Sequence, residues 1–150
     1  MGMGRVKLVQ FELHNNRVLT RAIEALRPQL IYVWDMWGLG MSLLLRAQQY
    51  SIPILYYVHD NWLADGYCAD PWLRYWRDTP ASCAKAIAKW LVYHRLVRPL
   101  LRRRVAVEYE PLNLRHIAFI SRYRKQECLA AGFPVEHADV IHNGIDTSRF

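Results

Sequence analysis

Three short apolar runs recur along this chain, each followed by residues at helical spacing: Leu30-Ile31-Tyr32-Val33-Trp34, Ile54 to Val58, and His116-Ile117-Ala118-Phe119-Ile120. Runs this continuous and β-prone are those of strands covered on both faces. Strands alternating with helices make βαβ units, so the pattern predicts an α/β fold, a Rossmann-like parallel sheet with helices on both faces. Asp139 to Ile141 reads as a last strand and Val6 to Phe11 as a short first one. Leu19, Ala22, Ile23 and Leu26 recur at helical spacing until Pro28 stops the helix just after Arg27. A second helix is expected from about Leu39 to Tyr50, and a long one from about Ala81 to Arg104, kinked at Pro99. A last helix runs from Ser121, a good N-cap, to Gly132, a good residue just past a helix end. Residues 59–80 read as an irregular connection, rich in aromatics and acids and long for a plain loop.

Composition limits what such a sheet can belong to. With 150 residues, 53% of them hydrophobic, the chain can bury one real core but not two full domains. No apolar segment is long enough to span a bilayer, and the N-terminus lacks a signal-peptide pattern, so a cytoplasmic protein is expected. Cys68, Cys83 and Cys128 show no CxxC spacing, which fits reduced thiols and argues against a zinc knuckle.

In parallel sheets ligands bind outside the carboxyl ends of the strands. Those ends fall at Asp35 to Gly40, His59 to Asp65, Ser121 to Arg124 and His142 to Gly144. In YVWDMWGLGMS, Asp35 follows a strand, and Gly38 and Gly40 open a helix whose free N–H groups would favour an anion. GLG is neither a full dinucleotide fingerprint nor a P-loop, and a tight strand-to-helix turn is the plainer explanation. In VHDNWL, His59 and Asp60 are adjacent; neighbours on a strand point to opposite faces, so they form one acid–base pair only if the chain turns at once. His59 is a candidate acid, base or hydroxyl donor, with a structural histidine as the alternative. Without a clear third ligand beside them, no metal site is expected.

The net charge of +7 is unevenly placed. Between Thr79 and Val107 stand Lys85, Lys89, Arg95, Arg98, Arg102, Arg103 and Arg104, with no acid. Three readings stay open: a solvated face, an interfacial helix that meets anionic lipid with Trp90, Leu91, Tyr93, Leu96, Val97 and Leu100, or a nucleic-acid surface. No RNP, KH-type or zinc-finger pattern accompanies the charge, so no nucleic-acid partner is expected. At the chain end, VIHNGIDTSRF reads as a strand, then a turn at Asn143-Gly144, where both residues tolerate positive φ.

Four segments, taken in order, resemble the N-terminal domain of retaining glycosyltransferases of family 4, which have the GT-B fold. RPQLIYVWDMWGLG looks like that family's Pro-Asp-leading strand, with Gln29 where Asp is common. IPILYYVHDNWL is similar to its strand ending in His-Asp and an aromatic, and HIAFISRYRKQECLAAGFP to its strand-Ser-helix-Gly-Pro segment. VIHNGIDTSRF is the most specific match. Order and spacing agree from about Arg27 to Phe150.

The resemblance implies transfer of a sugar, with retention, from a nucleotide diphosphate sugar such as a UDP- or GDP-sugar to a sugar or lipid-linked acceptor, without a further cofactor. By carry-over, His59 would be catalytic, near the donor sugar and the reacting centre. Asp35, Gly38, Asp60, Trp62, Ser121 and Arg122 would bind substrate, and the loop from Asn61 to Pro80 would shape the acceptor pocket. Its aromatics Trp62, Tyr67, Trp72, Tyr75 and Trp76 suit stacking on a sugar or on lipid. Residues 1–142 would be the acceptor-side domain, and 143–150, with Asn143 and Gly144, the start of the hinge to a donor-binding domain. That second domain would be missing, as would the family's first strand and Gly-rich loop, so the chain is expected to be inactive alone and clipped at both ends. Lys85, Lys89, Arg102, Arg103 and Arg104 are the candidates for peripheral attachment at the inner face of the cell membrane. The alternative is a stand-alone α/β module docking to a membrane or to a separate catalytic subunit.

Overall fold

The structure is a computed structural model and describes residues 5–78, 82–97, 105–106 and 110–144. Four strands form one parallel sheet: β1 (Ile31–Val33), β2 (Ile54–Val58), β3 (Ile117–Phe119) and β4 (Asp139–Val140). Their spatial order follows the chain order. Ile31 sits opposite Ile54, Tyr56 opposite Ile117, and Phe119 opposite Val140. The ladder runs one residue past β4, because the Ile141 N–H donates to the Phe119 carbonyl at 2.8 Å.

This register sorts the sheet into two faces. Val33, Ile54, Tyr56, Val58, Ile117 and Phe119 share one face and are all buried. On the other face Ala118 is buried and Leu55 and Tyr57 are half-buried, while Tyr32 is exposed. The first face carries the core, which continues through Leu44, Leu45, Leu63, Trp72 and Leu73. Each such side chain contributes about 1.5–3 kcal/mol by leaving water.

Helix α1 spans Arg5–Leu26 and replaces the short strand expected at Val6 to Phe11. Leu8, Glu12, Asn16 and Ile23 form its buried stripe, spaced four, four and seven residues apart. That is helical periodicity, and no Gly or Pro stands between Arg5 and Leu26 to stop a helix begun upstream. The helix ends where Arg27 turns to φ 46 ahead of Pro28, its N–H still bonded to the Ile23 carbonyl at 2.9 Å.

Helix α2 (Ser42–Ala47) is shorter than the span from Leu39 to Tyr50; isolated turns continue it at both ends. The stretch expected to be irregular is mostly helical: a π-helical turn at Trp62–Gly66, then α3 (Tyr67–Ala69) and α4 (Pro71–Arg77). Asp70 caps α4 by accepting from the Leu73 N–H, and Pro71 follows at the first helical position, where its missing N–H costs nothing. Helix α5 (Cys83–Val92) passes into a second π-helical turn at Tyr93–Val97. The proposed kink at Pro99 lies outside the described residues.

Helix α6 (Arg122–Ala130) is bounded as the sequence predicts. Ser121 Oγ accepts from the Arg124 N–H at 3.3 Å, and Gly132 closes the helix at φ +86. The turn expected at Asn143-Gly144 is different: neither residue adopts positive φ. The Tyr57 hydroxyl holds this segment by bonding the Ile141 carbonyl at 2.8 Å and Asn143 Oδ1 at 3.0 Å. The segment beyond β4 is therefore tied to Tyr57 of β2.

Candidate functional site

The chain turns immediately after Val58, and this brings together groups that a continued strand would have separated. One ligand atom each of Asp35, His59 and Asp60 lies within 4.8 Å of the other two. His59 and Asp60 therefore share one site instead of opposite faces, and Asp35, a substrate-binding candidate at the end of the neighbouring strand, joins them as a third group, a meeting that the sequence did not reveal. Among the described residues this trio is the group able to share a metal ion.

Each member is fixed by a local contact. Asp35 Oδ1 accepts from the Trp37 N–H at 2.7 Å, and Asp60 Oδ1 from the Trp62 N–H at 2.8 Å. Both carboxylates are thus turned by their own backbone two residues on, leaving Oδ2 of each for a ligand. The His59 ring stands edge-on to Trp34, centroids 5.4 Å apart. Asn61, the next residue, accepts from Arg124 Nη1, which also pairs with Glu127 Oε2 at 2.5 Å. α6 is thereby tied to the loop that carries His59 and Asp60.

Beside the trio, and also at the carboxyl ends of β1 and β2, lies a cavity of about 460 Å³. Its walls come from α1, the turn from Met36 to Met41, the π-helical turn and the start of α4. Most of the lining is apolar, including Leu8, Phe11, Met36, Trp37 and Leu39. Two acids, Glu12 and Asp70, also border it. Both are buried, and the sequence reading singled out neither.

Glu12 is 1% exposed. Its Oε2 accepts from Ser42 Oγ at 2.5 Å, and Asn16 Nδ2 donates to the same hydroxyl at 2.8 Å. Burial pushes the Glu12 carboxyl up to about 7, opposed by the Ser42 bond and assisted by the neighbouring Asp70 charge. Asp70 accepts at both oxygens, from the Met41 N–H at 2.9 Å and the Leu73 N–H at 2.8 Å. The anion expected at the start of the helix after Gly40 is therefore the chain's own Asp70.

Gly38 takes φ +75, the left-handed turn that only glycine adopts readily. Gly40 matters for a different reason: a Cβ there would run into the Glu12 carboxylate and push it from its place. Glu12 could have been found from the sequence only as one of a four-residue-spaced stripe with Leu8 and Asn16, once α1 is read as a helix. Asp70 had a plain signal, Asp-Pro opening a helix.

The other candidates scatter. Trp62, Tyr67 and Trp72 are buried in the core, so they do not offer faces for stacking from the surface; Trp62 reaches only the cavity wall. Trp72 Nε1 donates to the Ala106 carbonyl at 2.6 Å and pins a neighbouring segment. Trp76 and Tyr75 are half-buried and stack on each other edge to face. Ser121 is spent on its helix cap, and Arg122 is exposed at the start of α6. Asn143 and Gly144 are exposed beyond β4. Lys85 and Lys89 lie on α5, where Ile87, Trp90 and Leu91 are exposed; Arg102, Arg103 and Arg104 lie outside the described residues. No helix among the described residues is long and apolar enough to cross a membrane.

Comparison with curated proteins and with solved structures returns no match. The model of one family, Glycosyltransferase Family 4, matches residues 4–149, almost the whole chain. With its parallel sheet and its ligand-sized cavity at the strand ends, the chain belongs to Glycosyltransferase Family 4 and is a glycosyltransferase domain of the Rossmann-like α/β type.

Proposed function

We propose that this chain forms the acceptor side of a retaining glycosyltransferase that uses a nucleotide diphosphate sugar. The observation that carries this reading is the convergence of Asp35, His59 and Asp60 at the ends of β1 and β2, beside a cavity of about 460 Å³. Cleaving the glycosyl–phosphate bond builds negative charge on the departing diphosphate, so catalysis depends on positioning and on electrostatic stabilisation of that charge. In this reading His59 stands at the reacting centre and bonds a sugar hydroxyl, Asp60 orients the loop and Asp35 binds substrate. The donor's diphosphate is held by a second domain, reached through a hinge at Asn143 and Gly144, and the 150-residue chain alone transfers no sugar. No further cofactor takes part.

Nucleotide-sugar turnover tests this. The isolated chain should give none, and turnover by it would remove the need for a second domain. In a protein that joins this chain to a donor-binding domain, His59→Ala should lower turnover by about 100-fold, comparable to losing one charge-stabilising donor. An unchanged rate would take His59 out of the mechanism.

A second reading concerns location. Ile87 and Trp90, each 60% exposed, and Leu91 lie on the acid-free α5, an arrangement that suits peripheral attachment to anionic lipid at the inner membrane face of a cytoplasmic protein. Vesicle binding should then fall steeply with salt, and changing Arg102, Arg103 and Arg104 to Ser should weaken it. Unaltered affinity would end the lipid reading.

A further inference from the structure

The cavity over Glu12 is built unlike an ordinary sugar cleft. Its walls are mostly apolar, yet two acids border it and, among the described residues, no Lys, Arg or His does. This is in a chain whose formal charge is +7. Asp70 is fully occupied by the Met41 and Leu73 N–H groups. Glu12 is not: Oε2 takes the Ser42 hydroxyl, while among the described residues Oε1 accepts no hydrogen bond and lies against Gly40 in the cavity wall. A carboxylate oxygen that is almost wholly buried and unpaired is costly unless something brings it a donor. Trp62, which also lines the cavity, has a buried Nε1 with no acceptor among the described residues.

We propose that this cavity binds an apolar ligand carrying a protonated amine, with the ammonium seated against Glu12 Oε1 and the apolar part between Met36, Trp37 and Leu39. Three features favour an ammonium over a neutral hydroxyl. Two acids share the site, so a cation relieves their mutual repulsion as well as filling the vacant acceptor. The low-dielectric walls strengthen the pairing of opposite charges. Phe11 and Trp37 border the same space, and aromatic rings attract cations through their faces. A volume of about 460 Å³ is of small-ligand size. The inference rests on the proposed function only in identifying this ligand as the acceptor, an amine-bearing one; the binding itself requires no transferase activity.

The full 150-residue chain tests it, with 2-phenylethylamine and its neutral counterpart 2-phenylethanol as probes, read by the amide shifts of Gly38, Gly40 and Gly66 in the cavity wall. At about pH 8 the amine should bind at least ~10-fold more tightly than the alcohol, the margin expected of one charge-assisted hydrogen bond. Lowering the pH to about 5.5 should reduce that preference towards unity, because Glu12 then takes up a proton while the amine stays charged. The groups facing Glu12 are Asp70, which is also acidic, and the neutral Ser42 and Asn16. Glu12→Gln should give the low-pH behaviour at every pH. Should that variant not fold, the wild-type carboxyl decides: saturating amine should lower the pH at which Glu12 titrates by about one unit, and the alcohol should not. Equal binding of the two probes, a preference independent of pH, or no shift of the three glycines at about 10 mM probe would overturn the proposal. Turnover plays no part in these readings, so they stand or fall separately from the transferase reading.

Discussion

Glu12 and Asp70 lie inside the protein under the cavity, whereas Asp35 and Asp60 stand at the strand ends beside His59, exposed and half-buried. All four carboxylates serve elements around β1 and β2, and three of them accept from backbone N–H groups. They differ in what water does for them. An exposed carboxylate is solvated whether or not a partner is present, so Asp35 can keep a free oxygen at little cost. A buried one must find its partners within the fold, and each missing bond counts in full. The outer groups therefore meet a substrate at little cost, while of the inner pair Asp70 is committed to the fold and Glu12, with one oxygen unpaired, depends on pH.

The largest effect is expected at Asp70. Asp70→Ala orphans the N–H groups of Met41 and Leu73 in the interior and removes the cap of α4. The loss should be about 4 kcal/mol, read from urea unfolding. A loss below about 1 kcal/mol would mean that water reaches both donors and that the inner group is not dry.

Glu12 differs from the outer carboxylates in how stability follows pH. Its carboxyl ionises near 4.5 when unfolded and near 7 when folded, so between these values the folded chain keeps a proton that the unfolded chain has lost. Its contribution is greatest below about pH 4.5 and should fade as pH rises towards 7, by about 3 kcal/mol in all. Unfolding midpoints measured across this window should show the slope in the wild type and a flatter line in Glu12→Gln. Equal slopes would place the titration elsewhere.

Ser121→Ala tests a simple local contact. It removes one bond at the half-buried start of α6 and should cost about 1 kcal/mol in thermal unfolding. Asp35→Asn should have the smallest effect of all. The amide oxygen can still accept from the Trp37 N–H, so stability should change by less than about 0.5 kcal/mol. A larger loss would show that the outer carboxylate also carries structural weight. Its effect should appear in substrate binding instead.

Local chemistry made much of the fold legible. The strands β1 to β3 announced themselves as apolar runs, and Ser121 and Gly132 bounded α6 through capping preferences that act within a turn. Where local signals conflicted, the reading failed. Val6 to Phe11 looks β-prone by residue type, yet it belongs to a helix whose buried stripe continues to Ile23, and helix formation is cooperative over such lengths. Asp70-Pro71 carried a helix-start signal that the aromatic richness of the stretch concealed.

Sequence alone therefore determined the alternation of strands and helices, the parallel sheet, and the placing of His59 and Asp60 at a strand end. Which groups meet depends on packing. Asp35 joins His59 and Asp60 across the β1–β2 register, and Glu12 meets Ser42 across 30 residues and packs on the bare Cα of Gly40. Periodicity and capping act over a few residues, whereas these contacts depend on how whole elements pack, and packing turned aromatics that could have bound a sugar into core and a helical glutamate into the wall of a cavity.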